Sequence, residues 1–169
     1  MTNDIIALIA NIALALSFIV GLAFGIVQVR AAARDRRERL TLESLNNFQT
    51  REFAELMQYI NIHELPANAE ELKAIPVDEQ VIFMQLAQQM ETLGIFVAGK
   101  YINIDLVDKV LGSFVTTTWA KYKPMVLNLR ETTPDSFLSE YFQWLAACID
   151  ERLKNNPRKP FYKTIAAIT

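Results

Sequence analysis

The side chains that most often act in catalysis are scarce in this chain of 169 residues. It contains one histidine, His63, and one cysteine, Cys148, far apart in the sequence. A thiol and an imidazole brought together by folding could serve as nucleophile and base, but such pairs also use a third group that orients the base. No third group and no glycine-flanked nucleophile pattern accompanies either residue. We therefore interpret Cys148 as a small apolar side chain buried in the last helix, and His63 as a solvated residue at a helix end.

Carboxylates offer a second route to catalysis, because two acids that converge in a pocket can act as general acid and general base. The acids on predicted helices, or at helix starts, are Glu91, Asp105, Asp108, Glu140 and Asp150. Glu91 lies among apolar neighbours, and a partly buried carboxylate requires a hydrogen-bonding or charged partner. We predict a buried ion pair between Glu91 and Arg130 that holds two helices together. A hydrolase that uses a carboxylate pair remains the least favoured interpretation.

No pattern in the sequence points to a cofactor or a metal. CxxC, HExxH, Walker and dinucleotide-binding glycine motifs are all missing. We therefore predict no catalytic, cofactor-binding or metal-binding residues, and no enzymatic activity. The formal net charge is −2, and residues 40–169 hold twelve basic and sixteen acidic side chains, which argues against nucleic acid as a main partner. A single cysteine allows no internal disulfide, in agreement with a reducing compartment.

The element that must position everything else is an apolar stretch near the start of the chain. Residues 5–29 form a run of 25 residues without a charged side chain. Because about 20 apolar residues in a helix cross the roughly 30 Å hydrocarbon core of a bilayer, we predict a transmembrane helix. A cleavable signal peptide is one alternative, but it needs basic residues before its apolar core, and residues 1–4 have no basic side chain. A buried helix of a soluble protein is the other, although such helices seldom run this far without a charge.

Basic residues crowd at one end of this stretch. Residues 30–39 hold five arginines against two acids. Because positive side chains stay on the cytoplasmic side, we predict a single-pass protein of the cell inner membrane, with its N-terminus outside and its C-terminal domain in the cytoplasm. In the alternative interpretation, these charges form a specific binding site for anionic lipid. The residues concerned are Arg30, Arg34, Arg36, Arg37 and Arg39.

Small residues recur every four positions within the stretch and so share one face of the helix. They are Ala13, Ser17, Gly21 and Gly25, and the two glycines form a GxxxG motif. Such a face lets two transmembrane helices approach closely, which favours a homodimer through this helix. An equally good interpretation is that glycine and alanine are simply frequent in membrane helices.

Apolar residues recur at helical spacing in the rest of the chain. We divide the chain into residues 1–29, a short external N-terminus and the membrane helix; 30–45, a basic juxtamembrane helix; 46–156, a helical cytoplasmic domain; and 157–169, a basic tail. The predicted fold class is all-α, in which the membrane helix continues into a cytoplasmic bundle of four or five helices. The tail is expected to be disordered or, as the alternative, to rest on anionic headgroups.

Caps and prolines set the helix boundaries within the domain. The predicted helices are 42–60, interrupted near Asn46 and Asn47; 67–75, capped near Asn68; 77–98; 106–130, with a break or a kink at Pro124 after which residues 125–130 resume a short helix; and 133–155. Asp105 is the expected cap of the helix at 106, and the segment Thr133-Pro134-Asp135 is expected to open the last helix. Gly99 is the expected stop of the central helix.

Several segments resemble a known family. They are Glu91 to Gly99 (ETLGIFVAG), Ile104 to Val107 (IDLV), Trp119 and Arg130, which follow a single uncharged anchor with an arginine-rich exit. This layout resembles a family of small bacterial and phage-borne membrane proteins known only as a domain of unknown function. The resemblance covers most of the chain and implies the same single-pass topology. It brings no catalytic residue with it.

Topology and composition favour a function through contacts rather than through catalysis. We predict a membrane-anchored interaction or scaffold module at the cytoplasmic face, with membrane lipid and an unidentified protein as partners and no cofactor. The alternative is a membrane-perturbing or regulatory effector of the toxin or phage-exclusion type, which would arrest growth or depolarise the membrane on expression. A carboxylate-dependent hydrolase is the second alternative.

Overall fold

Six α-helices and a short 3₁₀ helix account for most of residues 2–157, the part of the chain that the computed structural model describes. This part contains no strand, which confirms the all-α prediction. The helices are α1 (Thr2–Asn46), α2 (Arg51–Ile62), α3 (Ala69–Ala74), α4 (Val77–Ala98), α5 (Ile104–Thr132) and α6 (Glu140–Asn155), with the 3₁₀ helix at Asn47–Gln49. The chain divides into two compact units, residues 1–40 and 41–169. The predicted basic tail lies outside the described residues, apart from Pro157.

The first unit is the greater part of α1. Its residues 5–39 are all exposed to solvent. Alanine, leucine and arginine are good helix formers, and no proline interrupts the segment. The helix ends at Asn46, where the 3₁₀ helix begins, so the predicted interruption at Asn46 and Asn47 is confirmed.

Side-chain caps start the next two helices. Thr50 Oγ1 accepts a hydrogen bond from the Phe53 N–H at the start of α2, at 3.2 Å. Asn68 Oδ1 accepts hydrogen bonds from the N–H groups of Glu70 and Glu71 at the start of α3, at 3.1 and 2.9 Å. Each cap satisfies donors that have no partner within the first helical turn, and the cap predicted near Asn68 is confirmed.

The central helix α4 begins and ends as predicted. Pro76 precedes it, and the Gly99 N–H at its end donates to the Ile95 carbonyl oxygen at 2.8 Å. Lys100 then adopts a φ of 58°, the left-handed conformation that turns the chain away from the helix axis. The side chains of α4 that are fully buried in the core include Leu86 and Met90.

The core of the second unit is formed by side chains of α2, α4, α5 and α6. Tyr122 of α5 and Phe142 of α6 are fully buried, with ring centroids 5.9 Å apart in an edge-to-face arrangement. The Tyr122 hydroxyl donates to the Phe83 carbonyl oxygen at 3.0 Å, which satisfies the buried donor. Gly94 of α4 faces the backbone of α6, and a Cβ at this position would overlap the Tyr141 carbonyl oxygen. The close approach of α4 and α6 therefore requires glycine at position 94.

The helix α5 differs from the prediction in two ways. Its cap is Asn103, whose Oδ1 accepts a hydrogen bond from the Asp105 N–H at 2.8 Å, so Asp105 lies in the first turn instead of capping it. The helix also continues through Pro124 to its end, where a break or a kink before a short helix was predicted. Pro124 is exposed, whereas Tyr122 and Met125 beside it are buried. Packing of these side chains offsets the hydrogen bond that the proline removes.

The helix α6 begins at Glu140, later than the predicted opening at residues 133–135. Asp135 Oδ1 accepts a hydrogen bond from the Phe137 N–H at 3.0 Å, so it forms a turn rather than a helix cap. Ser139, the residue before the helix, has a left-handed φ of 57° and makes no side-chain cap hydrogen bond. The local cap signals at residues 133–135 therefore predicted a helix start that is too early in the chain.

Candidate functional site

The first candidate is the apolar segment of α1, residues 5–29. Every residue in it is exposed, and Leu14 and Phe18 are each 73% exposed. By length and composition, two helices of the described chain could cross a membrane. The first is Ile5–Gln49, in which the most apolar 18-residue window is 0% buried. The second is Val77–Ala98, in which the corresponding window is 33% buried. Partial burial in the second unit is what a core helix shows. An exposed apolar segment of this length is unfavourable in water, at roughly 25 cal/mol for each Å² of apolar surface.

The predicted self-association face lies within this segment. A Cβ placed on Gly21 or Gly25 would meet no atom within 4 Å. Ala13 and Ser17 are exposed as well. The four small residues thus form an open face of α1, and self-association through it stays a prediction.

The five predicted anchor arginines are all exposed on α1. Arg34 Nε donates to Glu38 Oε1 at 3.2 Å, with both side chains more than half exposed. Exposed pairs of this kind add little to stability. The role of the arginines in topology or in lipid binding stays a prediction.

Glu91 and Arg130 contact other partners instead of each other in the described part of the chain, which corrects the predicted ion pair. The Glu91 carboxylate accepts hydrogen bonds from the N–H groups of Tyr141 and Phe142, at 3.2 and 2.7 Å. Arg130 donates from Nη1 to Gln143 Oε1 at 2.7 Å, and from Nε to a carbonyl oxygen just before α6 at 2.8 Å. Both side chains therefore bind the start of α6, one from α4 and the other from α5.

The contact of Glu91 with α6 is a helix cap supplied by a different helix. The first N–H groups of any helix lack partners within it, and Ser139 offers no side-chain cap. A carboxylate at this end also lies at the positive pole of the helix dipole. Glu91 thus connects α4 to the start of α6.

A cleft of about 580 Å³ lies between the start of α5 and the end of α6. Two of the candidate acids, Asp105 and Asp108, line it together with Cys148. Asp105 forms an ion pair with Arg152, which neutralises its charge. Cys148, expected to be buried, is half-buried. Burial, and then the nearby charge of Glu151, raise the pKa of the Cys148 thiol, so it stays protonated at neutral pH and is a weak nucleophile.

His63 lies at the end of α2, as the sequence predicts, and is exposed. Its Nδ1 is 2.9 Å from the Tyr59 carbonyl oxygen, and its ring stacks on the Tyr59 ring with centroids 4.0 Å apart. The lining of the cleft at Cys148 does not include His63. Within residues 2–157, no three or more His, Cys, Asp or Glu side chains are grouped in a way that could hold a metal ion.

A second cleft, of about 410 Å³, is lined entirely by uncharged side chains, and we name it the amide cleft. Its lining residues are Ser44, Asn47, Phe48, Gln85, Gln88, Gln89, Thr92, Leu93 and Phe96. Gln89 Oε1 is buried there without a hydrogen-bond partner among the described residues. Sequence reasoning missed this cleft.

Comparison with known proteins bears on most of the chain. A family model described as "Domain of unknown function (DUF4760)" matches residues 9–148. No curated protein and no solved structure matches the chain. The matched residues extend from the apolar segment of α1 as far as Cys148 in α6.

Proposed function

Since this chain belongs to the DUF4760 family, described as a domain of unknown function, we propose its role from its own residues. We infer that it is a single-pass membrane protein whose helical domain acts through protein contacts at the cytoplasmic face. The observation that carries the proposal is the exposure of every residue in the uncharged segment 5–29 of α1. Lipid is the environment in which such a segment is stable.

The arginines support the orientation. Five of them follow the apolar segment within ten residues, and the positive-inside bias retains such a cluster in the cytoplasm. The domain that follows would then lie in the cytoplasm, with the N-terminus across the inner membrane. Membrane lipid is the first partner, a second copy held through the small-residue face of α1 is the next, and an unidentified protein bound by the domain is the third.

The helical domain supports contacts rather than catalysis. Its candidate nucleophile is a protonated thiol, and its candidate acids Glu91 and Asp105 are engaged by a helix start and by an arginine. The amide cleft, in contrast, combines hydrogen-bonding amides with aromatic side chains. Such a lining is suited to binding another polypeptide.

Membrane partition of the full-length protein tests the anchor. After cell lysis and an alkaline carbonate wash, we expect the protein in the membrane pellet and its release only by detergent. The double variant Leu14→Arg with Phe18→Arg should leave the pellet, because each arginine at the centre of a membrane helix costs about 3 kcal/mol. Leu42→Arg is the matched control, an exposed leucine of α1 beyond the segment, and should remain in the pellet. Wild-type protein in the washed supernatant would refute the anchor.

Reporter fusions test the orientation separately. A fluorescent protein at the C-terminus should mature in the cytoplasm, and a phosphatase at the same place should be inactive. Replacement of the five arginines by glutamine should yield a mixture of both orientations, because the charge bias is then lost. A periplasmic C-terminus in the wild type would contradict the orientation while leaving the anchor intact.

A further inference from the structure

All five basic residues just beyond the apolar segment of α1 are arginines. The whole chain contains nine arginines and eight lysines, and residues 30–39 hold five of the arginines and none of the lysines. The positive-inside bias that orients a membrane protein counts lysine and arginine alike. Topology therefore explains the charge of this cluster but leaves the choice of arginine unexplained.

Arginine differs from lysine in how it binds a phosphate group. Its planar guanidinium carries five N–H donors in a fixed fork and can donate two parallel hydrogen bonds to one phosphate, whereas a lysine ammonium acts as a point charge. The choice of arginine thus points to recognition of an oxyanion. At the end of a membrane helix, the nearest oxyanions are the phosphates of the lipid headgroups.

Two of the five arginines lie at the depth of the headgroups when the apolar segment spans the bilayer. The headgroup region extends roughly 5–8 Å beyond the hydrocarbon core on each side. Arg30 directly follows the uncharged segment, and Arg34 lies four residues later, which is about 6 Å along a helix. Arg36 and Arg39 lie about 9 and 14 Å beyond Arg30, which places them past the headgroup region.

Arg30 and Arg34 also share one face of α1. At about 100° per residue they lie about 40° apart around the helix, whereas Arg36 and Arg39 lie about 120° and 180° from Arg30. Both Arg30 and Arg34 are exposed. Residues 31–33 between them are alanines, whose short side chains leave space around the two guanidinium groups. A phosphate could therefore contact both arginines at once.

The acid nearest to this face is Glu38. Arg34 Nε donates to Glu38 Oε1 at 3.2 Å, and the two side chains are 78% and 54% exposed. An ion pair with this exposure contributes little to stability, and the hydrogen bond uses one of the five N–H donors of the guanidinium. Arg34 can therefore bind a phosphate at little cost.

We propose that Arg30 and Arg34 form a clamp for the phosphate of an anionic phospholipid at the cytoplasmic edge of the bilayer. The apolar residues of α1 that precede Arg30 would contact the acyl chains of the same lipid. A zwitterionic headgroup binds less well, because its cationic group is repelled by the two guanidinium groups. This inference rests on the proposed membrane anchor and deepens it, since it names a class of lipid and the two residues that bind it.

Lipid binding by the purified full-length protein tests the clamp independently of orientation in the cell. In detergent, native mass spectrometry counts the lipid molecules that stay bound as phosphatidylglycerol or phosphatidylcholine is added. The wild type should retain one phosphatidylglycerol with an affinity at least about tenfold higher than that for phosphatidylcholine, because both arginines favour the anionic headgroup. Equal affinity for the two lipids would overturn the proposal.

A matched pair of double variants locates the site. Arg30→Gln with Arg34→Gln should lower the affinity for phosphatidylglycerol at least about tenfold. Arg36→Gln with Arg39→Gln removes the same charge from positions beyond the headgroups and should bind within about twofold of the wild type. Equal loss in the two double variants would show that net charge alone attracts the lipid, and the clamp would be wrong.

A conservative variant tests the choice of arginine. Arg30→Lys with Arg34→Lys keeps both positive charges but replaces two forked donors with point charges. It should bind phosphatidylglycerol at least about threefold more weakly than the wild type. An affinity equal to that of the wild type would contradict a clamp made of two-pronged hydrogen bonds.

Two further measurements separate the possible failures. Inorganic phosphate in about tenfold excess should displace no lipid, because it lacks acyl chains; displacement would indicate a site for free phosphate and would overturn the assignment to lipid. The alkaline-washed membrane pellet reports the anchor, and Arg30→Gln with Arg34→Gln should remain in it because the apolar segment is intact. Wild-type protein outside the pellet refutes the anchor, whereas pelleted protein that binds both lipids equally refutes the clamp alone.

Discussion

At the start of α6, the carboxylate of Glu91 replaces the cap that the helix lacks. Substitution of Glu91 by Ala should lower the free energy of unfolding by about 1–2 kcal/mol, the usual contribution of a helix cap. Glu91→Gln should cost about half as much, because its amide oxygen still accepts a hydrogen bond without the favourable charge. Urea unfolding of the full chain in detergent micelles measures both.

Glu131→Ala is the control for this measurement. It removes an exposed acid from α5 and should change the free energy of unfolding by less than about 0.5 kcal/mol. Equal unfolding curves for Glu91→Ala and Glu131→Ala would show that the cap between helices contributes nothing.

Tyr59 gives the domain a pH dependence at high pH. Its hydroxyl donates to Glu79 Oε2 at 2.6 Å, and this hydrogen bond, burial and the charge of Glu79 raise the pKa of Tyr59 to about 12. In an unfolded chain the pKa is about 10, so the fold favours the neutral hydroxyl. The stabilisation is complete below about pH 10 and is lost as the pH rises through about 12.

The comparison with Tyr59→Phe isolates this contribution, because every other tyrosine is present in both proteins. The difference in free energy of unfolding between wild type and variant should be constant from pH 7 to about pH 10 and should shrink above that. An unchanged difference at about pH 11.5 would contradict the shifted pKa of Tyr59.

Between elements, the tightest constraint is the contact of α4 with α6 at Gly94. Gly94→Ala should destabilise the domain by about 1–3 kcal/mol, because the added Cβ overlaps the backbone of Tyr141 and the two helices must separate. Gly25→Ala is the matched control, since a Cβ at Gly25 meets no atom within 4 Å. Thermal unfolding of both variants in detergent should show a lower Tm for Gly94→Ala alone. A Tm equal to that of the wild type would contradict the close packing of α4 on α6.

Local signals explain which helix boundaries could be predicted. Pro76 and Gly99 flank α4, and Asn68 caps α3, so these helices follow from short stretches of sequence. The start of α6 could not be predicted in this way. Its position depends on hydrogen bonds that Glu91 accepts and Arg130 donates, and both residues precede α6 in the chain and reach it only after folding.

The candidate surfaces also differ in whether the sequence alone identifies them. The apolar segment of α1 and its arginines are continuous in sequence, so composition alone identifies them. The amide cleft combines residues 44–48 with one face of α4, and neither segment indicates a cleft by itself. Exposure of Met84 and burial of Gln89 Oε1 became visible only when α4 was placed in the fold.

On the scale of the whole molecule, the chain joins two units of opposite character. Residues 1–40 form a helix segment whose apolar residues are exposed, and residues 41–169 contain a helical domain with its own core. In the described part of the second unit, two of the candidate acids connect helices: Glu91 of α4 binds the start of α6, and Asp105 of α5 pairs with Arg152 of α6. The membrane role that we propose for the first unit rests on the exposure of its apolar residues.

Solvent accessibility of α1 in native membranes tests whether this helix lies in the bilayer. In a Cys148→Ser background, single cysteines at Phe18, Leu22 and Leu42 can be treated with a water-soluble maleimide before and after denaturation in SDS. Positions 18 and 22 should react only after denaturation, because lipid covers them, whereas position 42 should react before denaturation in membrane fragments to which the reagent has access on both sides. Equal labelling of positions 18, 22 and 42 in intact membranes would contradict the claim that α1 lies in the bilayer.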